Sequence, residues 1–185
     1  MLTLSSNTQN LADKTSAVFC IRDPKYYLVP NVNVVSALRF ILDDADDLLR
    51  RGDVAEGVAL LCWAPYLLAS AVGHDFRTVS SIGQKVAAFL AQPSTERRNA
   101  LVQFGLTFAL DSPEQYFNGA SDEDVALVLW NSVIAHLQTG RAHSALRLAF
   151  WAVCVRTAEY DLSASRADRA VAAAADVFRE SEARG

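Results

Sequence analysis

The sequence predicts an all-α protein, a single domain of about seven helices set as antiparallel hairpins in a regular stack or an irregular bundle. Three observations predict it. Apolar residues recur at three- and four-residue steps from Asn33 almost to the end, which is the spacing of one helix face. No segment reads as a strand. Glycines and prolines fall between the periodic stretches, where they end one helix and open the next.

Residues 1–32 form an irregular N-terminal segment. Within it Leu11 to Cys20 has the length of one short helix, and Pro24 and Pro30 bracket Lys25-Tyr26-Tyr27-Leu28-Val29. Proline biases the residue before it away from helix, so this is an extended or packing segment. Asn33 then caps a first long helix carrying Val34, Val35, Leu38, Ile41, Leu42, Ala45, Leu48 and Leu49, and Gly52 ends it in the left-handed conformation. Asp53 caps the second helix, with Glu56 three residues on completing a capping box. That helix runs through Leu60, Leu61, Trp63, Leu67 and Leu68 to about Ala71, and Pro65 is expected to kink or split it.

A third helix covers about Thr78 to Ala91 and stops at Pro93. Ser94 caps a fourth, about Thr95 to Leu110, in which Gly105 permits close packing. Ser112-Pro113 opens a short helical turn ending near Gly119. Ser121-Asp122-Glu123-Asp124 starts a fifth long helix, with acids at the positive end of its dipole, and Gly140 ends it. The sixth runs from about Arg141 to Glu159, and an Ala-rich last helix covers about Ser165 to Ala183. The predicted core is Leu38, Ile41, Leu60, Trp63, Leu101, Phe104, Leu146, Phe150 and Trp151.

Two segments resemble each other. Leu49 to Ala64 aligns with Leu137 to Ala152 without a gap at an offset of 88 residues, sharing L-x-x-G-x-x-x-x-[GA]-[VL]-x-L-x-x-W-A. The pattern describes a helix, a tight turn at Gly52 or Gly140, and a second helix folding back. Gly57 or Ala145 lies where the two backbones approach closely. The positions Gly52, Gly57, Val58 and Ala64, and again Gly140, Ala145, Leu146 and Ala152, resemble the second half of a tetratricopeptide helix hairpin. That resemblance covers about 30 residues and implies a stack of hairpins with a groove that takes a peptide or a helix. The 88-residue spacing departs from that family's period, and the first helices lack its aromatic and Leu-Gly positions. The order Trp63-Ala64, Gln92-Pro93-Ser94-Thr95-Glu96-Arg97-Arg98-Asn99-Ala100 and Leu110-Asp111-Ser112-Pro113 resembles an uncharacterised bacterial all-helical family, which implies a helical fold and no particular activity.

Composition bounds the function. The chain has 185 residues, a net charge of −4, 51% apolar and 21% charged residues, which excludes collagen-like, disordered and disulfide-framework proteins. One domain spans residues 1–185. A pI near 5.3 argues against nucleic acid as partner, because sequence-independent binding needs a basic field. Cys20, Cys62 and Cys154 are odd in number and far apart, and the last two sit in apolar runs. Buried free thiols in a reducing cytoplasm follow. The N-terminus has no basic region followed by an apolar run, so no signal peptide is expected, and no segment is apolar enough to span a membrane. Three lysines against 14 arginines, with many alanines, hint at a bacterial genome.

No motif announces a chemistry. Asp43-Asp44-Ala45-Asp46-Asp47 satisfies D-D-x-x-D and resembles the magnesium–diphosphate motif of all-helical isoprenoid enzymes, but the second acidic motif those enzymes carry has no counterpart. The plainer alternative is local pairing, Asp46 with Arg50 and Asp47 with Arg51, on an exposed helix face. His136 and His143 flank the Gly140 turn and are placed to face each other, without the Cys or carboxylate spacing of a metal site. Trp63, Trp130 and Trp151 read as core residues rather than a cofactor box. No cofactor, metal or catalytic residue is expected.

Two function classes remain. One is a non-catalytic helical adaptor or chaperone-like protein that binds another protein, heterologous or a second copy, for instance within a bacterial secretion or assembly machine. The expected contact residues are Tyr26 and Tyr27 in the N-terminal segment and Val171 and Phe178 on the last helix. On that helix Ala167, Ala170, Val171, Ala174, Val177 and Phe178 form a narrow apolar stripe, which would equally close the end of the stack. The other class is a small all-α enzyme or ligand-binding protein using Asp43, Asp44 and Asp47 on Mg²⁺ and a diphosphate.

Overall fold

Two helices are apolar on nearly every side, and the rest of the chain is arranged around them. The computed structural model describes residues 34–107 and 113–172. In chain order its elements are α1 (Val34–Arg51), α2 (Val54–Ala71), α3 (Phe76–Leu90), α4 (Ser94–Thr107), a 3-10 turn (Pro113–Phe117), α5 (Asp122–Gln138) and α6 (Ala142–Thr157). A last helix, α7, is described over 164–172. The described residues contain no strand, and the all-α prediction holds.

The central pair is α2 and α6. Leu60, Leu61, Trp63, Leu67 and Leu68 are buried on α2, as is every residue from Leu148 to Thr157 on α6. A helix that is apolar all round must be covered all round. Accordingly α6 packs against α5, α2, α3 and α4, while α1 covers α2. Of the nine predicted core residues eight are buried, and Phe104 is partly buried, stacked on Phe89 at 4.7 Å between ring centroids.

Each of the two turns singled out by the sequence is closed in the same way. Gly52 N–H donates to Leu49 O at 3.1 Å and Asp53 N–H to Leu48 O at 3.0 Å; Gly140 N–H donates to Leu137 O at 3.1 Å and Arg141 N–H to His136 O at 2.8 Å. This pair of bonds needs a left-handed residue after the helix, and Gly52 and Gly140 have φ of 88° and 75°. At Gly57 an added Cβ would stand 2.8 Å from Leu49 Cγ, so α1 and α2 approach closely there.

Of the expected caps Ser121 is one, whereas Ser94 is the first residue of α4 rather than its cap, and Asp75, read from the sequence as part of a connection, caps α3. The Asp75 carboxylate accepts from Thr78 N–H at 2.9 Å and opens α3. The Ser121 hydroxyl accepts from Asp124 N–H at 3.1 Å and opens α5. Of the two expected effects of Pro65, a kink or a split, the split does not occur: α2 continues through it. Proline removes one backbone donor, but α2 is held on every side by buried packing, which outweighs a lost bond. The Leu11 to Cys20 helix, Asn33, the end of the fourth helix at Leu110 and the end of the last at Ala183 lie outside the described residues.

Two arginines are buried. Arg97 of α4 is wholly buried, and its guanidinium donates to Thr157 O at 2.8 Å and to Tyr160 O. It thereby satisfies carbonyls left orphaned at the end of α6. In return Asp161, just past α6, accepts from Ser94 N–H at 2.9 Å at the start of α4. Burial pulls the Arg97 pKa down, and Asp161 opposes that shift. The second, Arg156 of α6, donates from Nε to Asp46 Oδ1 at 2.8 Å and lies over the Tyr160 ring at 5.5 Å.

Candidate functional site

The helix α1 presents Arg39, Leu42, Asp43, Asp46 and Arg50 at steps of three and four, one face of a helix. The helix α5 presents Glu123, Ala126, Leu127, Trp130, Asn131 and Ile134 in the same way. These two faces flank a groove of about 390 Å³, floored by Leu61 of α2 and by Arg156 of α6. Its lining mixes apolar side chains, among them Leu42, Leu127 and Trp130, with charged ones, among them Arg39, Asp43 and Glu123.

One end is tied by ion pairs. Arg50 donates from Nη2 to Glu123 Oε1 at 2.7 Å. That bond holds the Glu123 carboxyl below its ordinary value and raises Arg50. Arg156 also reaches Glu159 at 3.3 Å, and Arg98 lies 3.9 Å from Glu159 and 3.6 Å from Asp122. Burial pulls Arg156 down, but the Tyr160 hydroxyl and Asp46 outweigh it and hold the guanidinium above its ordinary pKa. Burial raises the Asp122 carboxyl, with Arg98 opposing. Exposed pairs of this kind contribute little to stability. The buried Arg156–Asp46 contact fixes the groove floor to α1.

The acidic run does not form a metal centre. Asp46 is taken by Arg156, and Arg50, its expected partner, goes to Glu123 instead. The second local pair forms, with Arg51 Nη2 3.8 Å from Asp47 Oδ2. Among the described residues no group of three His, Cys, Asp or Glu side chains comes together to hold a metal ion. His143 faces His74, with ring centroids 5.5 Å apart, rather than His136 across the turn. Cys62 and Cys154 are free, buried thiols. Burial pushes Cys62 up to about 12 and raises Cys154 well above its ordinary value, so neither is a ready nucleophile.

Trp63 and Trp151 are fully buried and Trp130 is nearly so. Trp151 Nε1–H donates to Leu101 O at 3.2 Å. Trp130, in the groove wall, has no hydrogen-bond partner for its indole N–H.

Among the expected contact residues, Tyr26, Tyr27 and Phe178 lie outside the described residues. Val171 is only 4% exposed and belongs to the core. It meets α3, where a Cβ added at Gly83 would stand 3.5 Å from it. The groove between α1 and α5 was not singled out by sequence reasoning. Its one sequence signal was the apolar and charged stripe on each helix.

The fold and site define an all-helical protein with a groove between two of its helices. Comparison with protein-family models, curated proteins and solved structures finds no match to this chain. None of the described helices is long and apolar enough to cross a membrane.

Proposed function

We propose that the chain is a non-catalytic helical adaptor, and that the groove between α1 and α5 takes an amphipathic helix from a partner protein. One observation supports this above the others. Among the described residues the large apolar side chains left exposed are Phe40 (44%), Leu127 (62%) and Val128 (50%), all on the two helices that flank the groove. Single exposed apolar residues are ordinary; here Leu127 stands in the groove wall itself, while Phe40 and Val128 lie on the same two helices outside its lining, and an uncovered Leu127 favours a surface that a partner covers. From Glu123 to Ile134 the groove follows α5 for about 16 Å, the length of three helical turns. A helix laid there would place its apolar stripe on Leu42, Leu127 and Ile134 and its polar flanks against Arg39, Asp43 and Asn131. A reducing cytoplasm suits the buried thiols, and a bacterial secretion or assembly machine is a setting in which such an adaptor would act.

The test is co-purification from the native host, compared between wild type and Leu127→Asp. Leu127 is exposed, so the variant should keep its circular dichroism spectrum. A partner, or a second copy, lost by Leu127→Asp and crosslinked from a photoreactive residue at position 127 supports the groove. If the folded variant keeps every partner and its oligomeric mass, the groove is not the interface. Tyr27→Asp and Phe178→Asp, measured alongside, test the N-terminal and C-terminal surfaces.

A further inference from the structure

A second recess, of about 360 Å³, lies between α3 and the start of α6, and its charged lining is entirely basic. Arg77, Ser81 and Lys85 come from successive turns of one face of α3; His143 and Arg147 come from one face of α6. His74 adds a second imidazole, 5.5 Å from the ring of His143. The nearby acid, Asp75, is engaged by both the N–H and the hydroxyl of Thr78 at 2.9 and 2.8 Å.

Elsewhere Arg50, Arg51, Arg97, Arg98 and Arg156 each have an acidic partner, and Arg141 and Arg169 bond to a hydroxyl and a carbonyl; what sets this recess apart is that its cations converge on one space with no acid in the lining. Among the described residues Arg77, Lys85 and Arg147 have neither an ion pair nor a side-chain hydrogen bond. Acids outnumber bases in this chain by 21 to 17, so three unpaired cations around one recess are not a matter of supply. Bringing like charges together costs energy that a bound anion would recover. Burial first, and after it the neighbouring Arg147 and His74, hold the His143 imidazole below its ordinary pKa.

We propose that this recess binds the phosphate group of a small phosphorylated molecule. Arg77, Lys85 and Arg147 supply the charge, and the Ser81 hydroxyl and His143 supply further donors. Three full positive charges call for a dianion rather than a single carboxylate. The volume lies in the range of small-molecule sites. A net charge of −4 repels a long polyanion but leaves a local cationic recess open to a small one.

The test is titration calorimetry of the full chain at low salt without divalent cations, using inorganic phosphate in one arm and glucose 6-phosphate in the other. Saturable one-site binding is expected in at least one arm. Tighter binding of the ester identifies an organic phosphate as ligand; equal binding identifies free phosphate. Arg147→Gln should weaken binding about tenfold or more, and Lys85→Gln, at an exposed position of the recess, by severalfold, while Arg51→Gln, outside the recess, should leave it unchanged. The proposal is overturned if neither phosphate saturates by about 10 mM, if Arg51→Gln weakens binding as much as Lys85→Gln, or if only a long oligonucleotide binds.

Discussion

Replacing Gly105 by Ala sets two effects against each other. Alanine favours the interior of α4 by about 1 kcal/mol. Its Cβ, however, would stand 2.8 Å from Trp151 Cε2, 2.9 Å from Trp151 Cζ2 and 2.9 Å from Pro113 Cβ. Ordinary contact begins near 3.4 Å, so the indole must retreat by about half an ångström. It has little room to do so. Trp151 is fully buried, with the rings of Tyr116 and Phe117 edge-on at 5.6 and 6.0 Å. Its Nε1–H is also tied to Leu101 O, one turn earlier on the same helix as Gly105. Overpacking of this kind costs about 1–3 kcal/mol, and a loosened hydrogen bond adds about 1 kcal/mol. The net expectation is destabilisation by about 1–3 kcal/mol, or a Tm lower by roughly 3–8 °C. Urea and thermal unfolding, followed by tryptophan fluorescence, measure it, with exposed Gln103→Ala on the same helix as control. A Gly105→Ala protein as stable as wild type would refute the claim that Trp151 is locked against α4.

Arg97→Leu removes both donors from the end of α6 and leaves the Thr157 and Tyr160 carbonyls without them; a loss of about 2–4 kcal/mol is expected in urea unfolding, and a loss under about 0.5 kcal/mol would show that water replaces the guanidinium. Acid should weaken the fold. Ser94 hydrogen bonds hold Asp161 below its ordinary 3.8, and the Arg50 hydrogen bond holds Glu123 below 4.5. Their stabilisation is full above those unfolded values and is lost as pH falls through the lower folded ones, while half-buried Asp122, raised above 3.8, acts in the opposite sense. Asp161→Asn should therefore lower the urea midpoint more at about pH 6 than at about pH 3; equal losses at both would remove the Asp161 charge from the account. Cys62 and Cys154 should resist iodoacetamide in the native protein and react in urea, as read by peptide mass spectrometry; labelling in the native state would mean that the α2–α6 core opens.

The helices were legible because their signals are local. Gly52, Gly140 and Pro93 mark ends, Ser121 caps a start, and periodic apolar residues name the core face. What escaped the sequence were contacts between distant positions. A rule about neighbours on one helix paired Asp46 with Arg50, whereas its partner Arg156 lies 110 residues away. The same limit hid Arg97, whose carbonyl partner is 60 residues on. His143 was matched to the histidine nearest in sequence, and the chain brings His74 to it instead. At Pro65 the helix is not split, because the packing that surrounds α2 offsets a local penalty.

The position of α6 along the chain sets the order in which the protein can complete itself. The helix that touches α2, α3, α4 and α5 begins at Ala142, whereas α2, its central companion, ends at Ala71. At ordinary rates of synthesis the ribosome needs about 4 to 14 s to make the intervening 70 residues. For that interval the apolar far side of α2 has no partner, and nascent chains stalled before residue 142 should be protease-sensitive and prone to associate. Those extended past residue 157 should acquire protection in a single step.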